Sequence, residues 1–139
     1  SYAHFFLPHS QYCRDSTGAL NAPEKIADLF NKPLYLSYLK YTNQVMQKIV
    51  RNITTTDPAA IVIVMSDHGF YDYNSPGDYD PYNYDNICMV KMPGVKTDTV
   101  KLPRSNVNFF RYLFNTGYGQ NFPYLKDSTV YVIEDKAFK

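Results

Sequence analysis

AIVIVMSDHGF, residues Ala60 to Phe70, opens as a continuously apolar run and closes on polar, chemically capable side chains. Ile61 to Met65 lack the alternation of a strand with one wet face. Such a run suits a strand covered on both sides, the pattern of a parallel sheet between helix layers. Open α/β sheets bind ligands at the carboxyl ends of their strands, which is where Ser66, Asp67, His68 and Gly69 fall. On a regular strand Asp67 and His68 would point to opposite faces. A turn just past the strand lets both converge on one ion, with Gly69 free to take an unusual backbone conformation. A carboxylate with an imidazole suits Zn²⁺ or Mn²⁺. The residue types leave a second reading open, in which Asp67 bonds to the turn backbone and His68 faces water.

Upstream of this run, Thr54 to Pro58 reads as a connection and Leu34 to Ile53 as a long helix entered through Pro33. Tyr35, Leu39, Thr42, Met46, Ile49, Val50 and Ile53 recur at helical spacing, giving one apolar stripe to lay on a sheet. Ala22 to Asn31 predicts a short helical stretch, with Pro23 in its first turn. His9 to Gly18 is a polar loop with turn chemistry. Tyr2 to Leu7 predicts a strand ended by Pro8. Strand, helices, strand is the order of a βαβ unit. His4 and His9 flank the end of that first strand; by residue type each is an ordinary histidine.

Downstream, Tyr71 to Asn86 holds five Tyr and four Asp with no Lys or Arg. Placed after the Asp-His turn, it can form a rim whose aromatic faces and carboxylates suit a carbohydrate, with Tyr71 and Tyr73 nearest the turn. A plain surface loop is the other reading. Asn86 to Gly94 predicts a second strand closed by Pro93-Gly94, with Lys91 lining an anion site or facing solvent. Ser105 is a good N-cap for a helix with Val107, Phe110, Leu113 and Phe114 at core spacing, stopped by Gly117 and Gly119. Ser128 to Ile133 predicts a last short strand.

The chain of 139 residues is one domain's worth, with 45% hydrophobic residues and 14 Tyr, 9 Phe and no Trp. A net charge of +1 gives no reason to expect a nucleic-acid partner. No apolar run reaches the length of a membrane helix. Cys13 and Cys88 fit no close-spaced metal pattern; they are either a disulfide in an oxidising compartment or two ordinary buried thiols. Asn52-Ile53-Thr54 matches a glycosylation acceptor but falls at the end of the long predicted helix.

IVIVMSDHGF resembles the SDHG segment of the sulfatase and phosphoglycerol-transferase branch of the alkaline phosphatase superfamily. In that family the Asp and His after the buried strand are metal ligands. The resemblance implies that Asp67 and His68 hold a divalent ion (Mn, Mg, Ca or Zn) completed by ligands outside this chain. HFFLPHSQY followed by DSTG is similar to an H-x-PH-P-type segment of the same superfamily, although Gln11 replaces the proline usual nearby. That likeness implies that His4 meets the anionic group of the substrate, as a hydrogen-bond donor or general acid, with His9 as the second candidate. SNVNFFRYLFNTGYG is similar to the family helix S-x-x-D-x-x-x-T-L-L-x-x-x-G. Asn108 stands where Asp is usual, in an expected structural role. Phe70 is a departure too, at a position where many members carry an acidic residue.

The expected fold is therefore α/β: a mostly parallel sheet sandwiched by helices, residues 1–139 forming the carboxyl-terminal part of an alkaline-phosphatase-like domain. The family's chemistry needs a nucleophile, and neither Cys13 nor Cys88 sits in the C/S-x-P-x-R context of a formylglycine site. The reading is a piece of a sulfuric-ester hydrolase or of a phosphoglycerol or phosphoethanolamine transferase, carrying the metal-ligand motif without the nucleophile. Its implied partners are a sulfate or phosphate ester, on a carbohydrate or lipid head group, and the amino-terminal half of its own domain. Self-association of the isolated piece is also expected, since a truncated sheet exposes strand edges. By resemblance the parent protein is membrane-anchored with an extracytoplasmic catalytic domain. The competing class is a non-catalytic binding module on a degenerate scaffold of this type.

Overall fold

In the computed structural model the described residues are 1–70, 85–95, 103 and 105–127. They belong to two compact units, Ser1–Lys91 and Met92–Lys139. The expected positions Tyr71 and Tyr73, most of the Tyr-rich stretch, and the expected strand Ser128 to Ile133 lie outside the described residues.

In the first unit, α1 is a single turn, Pro23–Ile26, and α2 runs from Lys32 to Thr56. The start of α2 is set by Asn31, whose side-chain oxygen accepts from the amide of Leu34 at 3.0 Å, with proline in the first turn. It ends where Pro58 forbids continuation: the Asp57 amide closes onto the Ile53 carbonyl at 2.8 Å, and the Asp57 carboxylate takes the Ala59 amide at 3.0 Å. Tyr38 and Thr42 are its buried residues. The Thr42 hydroxyl is satisfied inside the helix by the Tyr38 carbonyl, at 2.9 Å.

The core of this unit is aromatic. Tyr12, Tyr38 and Phe70 are buried together, with Leu7, Leu34, Tyr35 and Tyr41 packed around them. It therefore joins the amino-terminal loop, the first half of α2 and the residue that ends the SDHGF turn. The DSTG loop is a tight turn built on Asp15, whose carboxylate accepts from the Thr17 amide at 2.8 Å, the Thr17 hydroxyl at 2.7 Å and the Ala19 amide at 3.1 Å. Gly18 completes it at φ 92°, against the Tyr41 ring. The Leu7–Pro8 and Ser10–Gln11 peptide bonds are cis.

The sheet corrects the expected architecture. Strand β1, Val62–Met65, pairs with β2, Cys88–Lys91, and the pairing is antiparallel: Val62 faces Lys91, Ile63 Val90, Val64 Met89 and Met65 Cys88. Among the described residues this is a two-stranded sheet, not a mostly parallel one sandwiched by helices. Tyr2 to Leu7, the expected first strand, joins no ladder and is largely exposed, so the βαβ unit lacks one of its strands. The physical reason is that an apolar, β-branched run specifies a strand but not its neighbours. Pairing and cover come from distant residues. From α2, Val50 reaches the face carrying Val62, Val64 and Met89, where they line a shallow groove with Val90 and Lys91. Ile63, Met65 and Met89 stay exposed to between 37% and 49%. Lys91 is engaged by the backbone that leads into β1. Its Nζ donates to the carbonyls of Pro58 at 2.7 Å and Ala60 at 3.1 Å, tying β2 to the entry of β1.

In the second unit, Ser105 caps a 3-10 turn, Asn106–Asn108, that leads into α3, Phe109–Tyr118. Gly119 stops the helix in the left-handed conformation at φ 63°, whereas Gly117 lies inside it. Phe109, Tyr112 and Leu113 are buried, as is the polar Asn108. Asn108 and Asn115, on the same side of the helical segment, hold the chain that returns after it: Asn115 bonds both backbone groups of Phe122, and Asn108 both of Leu125.

Candidate metal centre

Strand β1 does not stop cleanly at Met65. The Ser66 amide donates to the Ile87 carbonyl at 3.0 Å, and the Ser66 hydroxyl accepts the Ile87 amide at 2.9 Å. One side chain thus extends the ladder by a step and aims the chain into the turn. Asp67 follows, and its Oδ1 accepts the His68 amide at 3.0 Å. The two adjacent side chains approach one another here rather than diverging as they would on a regular strand. The His68 Nε2 lies 3.8 Å from Asp67 Oδ2.

The ring of His68 is oriented by its own turn. Its Nδ1 lies 2.7 Å from the Gly69 carbonyl. A carbonyl oxygen only accepts, so this hydrogen bond needs its proton on Nδ1, and Nε2 is the nitrogen turned toward the carboxylate. The same device, a backbone carbonyl behind a ligating histidine, fixes the tautomer in known metal sites. Gly69 is not among the glycines with positive φ, so its role is the carbonyl rather than an unusual backbone angle. The next residue, Phe70, is 6% exposed and packs against the Tyr35 ring at 4.8 Å, tilted by 44°.

The pair fits a cation chemically. Its donors are one imidazole nitrogen and one carboxylate oxygen, across a gap that two metal bonds of about 2.1 Å each can span. As a bare ion pair it would contribute little, because the side chains are 45% exposed at His68 and 82% at Asp67. Among the described residues no third His, Cys, Asp or Glu joins the two as a donor set.

The two other histidines sit on the amino-terminal segment. His4 is exposed, its Nδ1 3.0 Å from the Tyr2 hydroxyl and its ring edge-on to Phe6 at 4.8 Å. His9 also packs edge-on to Phe6, at 6.1 Å, its Nδ1 against the Ser10 carbonyl. Neither is grouped with Asp67 and His68. Sequence reading missed Tyr2 as the partner of His4; the alternation of rings at Tyr2, His4 and Phe6 was the available signal. Cys13 and Cys88 are separate thiols, that of Cys13 donating to the Gln11 carbonyl at 3.0 Å and that of Cys88 pushed up in pKa by burial. No helix of the described residues is long and apolar enough to cross a membrane.

Compared with protein-family models, with curated proteins and with solved structures, the chain matches none.

Proposed function

We propose that Asp67 and His68 are two ligands of a divalent-cation site in a chain of the sulfatase and phosphoglycerol-transferase type, which acts on a sulfate or phosphate ester. The observation that carries this reading is the approach of Asp67 Oδ2 to His68 Nε2 at 3.8 Å, with the opposite ring nitrogen held by the Gly69 carbonyl. Asp67 supplies the negative charge that draws a cation to the end of β1. His68 supplies Nε2, the ring nitrogen opposite the one that meets the Gly69 carbonyl. A cation bound there would polarise a sulfuryl or phosphoryl oxygen of the ester. His4, beside the Tyr2 hydroxyl, is the proposed contact to the ester's anionic oxygens. Two donors make a weak site, so further ligands and the nucleophile come from outside the described residues.

Titration of the ¹⁵N-labelled chain with Mn²⁺ tests the reading. Paramagnetic broadening centred on the amides of Asp67, His68 and Gly69, abolished by Asp67→Asn with the rest of the spectrum unchanged, is the expected result. Uniform broadening with no focus at the turn would remove the cation site and leave the non-catalytic binding module as the better reading.

A further inference from the structure

Phe70 stands one residue beyond the group that orients His68. Its burial is complete enough, at 6% exposure, to make it one of the three buried residues of the aromatic core, beside Tyr12 and Tyr38. Its ring lies 4.8 Å from that of Tyr35, which in turn packs edge-on to Tyr12 at 5.9 Å. Asp67 and His68 are exposed. Ser66 ties the start of the turn to Ile87 and Phe70 buries its end, and the peptide that precedes Phe70 carries the Gly69 carbonyl 2.7 Å from the His68 Nδ1.

We infer that Phe70 is the positioning residue of the Asp67–His68 pair: its seat in the Tyr12–Tyr35–Tyr38 cluster holds the Gly69 carbonyl, which sets the tautomer and direction of the His68 ring. This rests on the reading of the pair as cation ligands. An acidic residue at position 70 would bring another carboxylate to the turn; the phenylalanine instead ties the turn to α2 through Tyr35. The role is indirect, since Phe70 itself touches no cation.

The side-chain nitrogens of His68 report on this without any metal. In the metal-free chain, long-range ¹H–¹⁵N spectra should show His68 protonated at Nδ1. In Phe70→Leu, which keeps the site apolar but removes the ring contact with Tyr35, the Nδ1–H form should give way to a mixture. Mn²⁺ affinity at the turn should fall about tenfold, the scale of lost support behind a ligating histidine. Phe70→Tyr, which keeps the ring, should restore both. Tyr35→Leu, made at a half-buried position with Phe70 intact, should move the tautomer the same way and decides the matter if Phe70→Leu does not fold. An unchanged tautomer in a folded Phe70→Leu or Tyr35→Leu chain overturns the assignment. If the wild-type chain shows the Nδ1–H form but binds no Mn²⁺, the cation reading fails while the positioning role stands.

Discussion

Asn108 holds Leu125 by both of its backbone groups, its Nδ2 donating to the carbonyl at 2.7 Å and its Oδ1 accepting the amide at 2.9 Å. The same Nδ2 reaches the Asp127 carboxylate at 2.9 Å. A carboxamide donates and accepts at once, which an ionised carboxylate cannot, and Asn108 is only 3% exposed. This is the physical sense of an asparagine where the resembling family has an aspartate. Asn108→Asp would lose the donor and set a second carboxylate against Asp127. A loss of about 3 kcal/mol in the stability of the unit around α3 is expected. Urea unfolding followed by the Phe109 and Tyr112 ring signals checks it, and the deficit should shrink in acid as the new carboxyl regains a proton to donate.

Gly18 and Tyr41 are bound to each other by shape. At φ 92° the glycine backbone is in a region side chains avoid, and an added Cβ would lie 2.7 Å from the Tyr41 ring. Gly18→Ala should destabilise the first unit by about 1–3 kcal/mol. Thermal denaturation measures the loss. A neutral result would mean that the DSTG turn opens without consequence for α2.

Burial raises the phenol pKa values of Tyr12, Tyr35 and Tyr38, with neighbouring groups adding to it at Tyr12 and Tyr38. A folded-state value above the unfolded one means a contribution that is complete below pH ~10 and is lost as pH rises through the folded value. Denaturant midpoints should therefore fall between mildly and strongly alkaline pH. Tyr35→Phe, which removes one ionising group from the cluster, should make that fall shallower. An identical slope in the variant would show that the Tyr35 phenol ionises as readily in the folded chain as in the unfolded one.

Asp15 behaves in the opposite sense. The Thr17 hydroxyl and amide bond to its carboxylate and lower its pKa. Its contribution is present above the ordinary aspartate value and disappears as pH falls through the lower, folded one. Amide exchange at Thr17 and Ala19 should speed up across that acidic window, relative to amides in the middle of α2. Asp15→Ala should show fast exchange at those two amides at every pH.

The helices were readable because their determinants are local. Asn31 and Pro33 open α2, Pro58 closes it, and the period of Tyr35, Leu39, Thr42 and Met46 lies within one stretch of chain. The Asp67–His68 pair was readable as a possibility for the same reason, since a turn between neighbours needs only those neighbours. The aromatic core was not. Tyr12 and Phe70 lie 58 positions apart, and nothing in either segment names the other. Phe70, a departure from the resembling family's pattern, is also a buried member of that core.

What the amino-acid order determined by itself was where the chain is helical, where it is extended and where it turns, through caps, prolines, glycines and spacing. What only the tertiary structure decided was the partner of each extended piece. β1 runs antiparallel to β2, Tyr2 to Leu7 joins no ladder, and an apolar strand expected to be covered on both faces is left partly open. A backbone hydrogen bond is the same whichever strand supplies it, so strand pairing is settled by long-range packing that no local pattern contains.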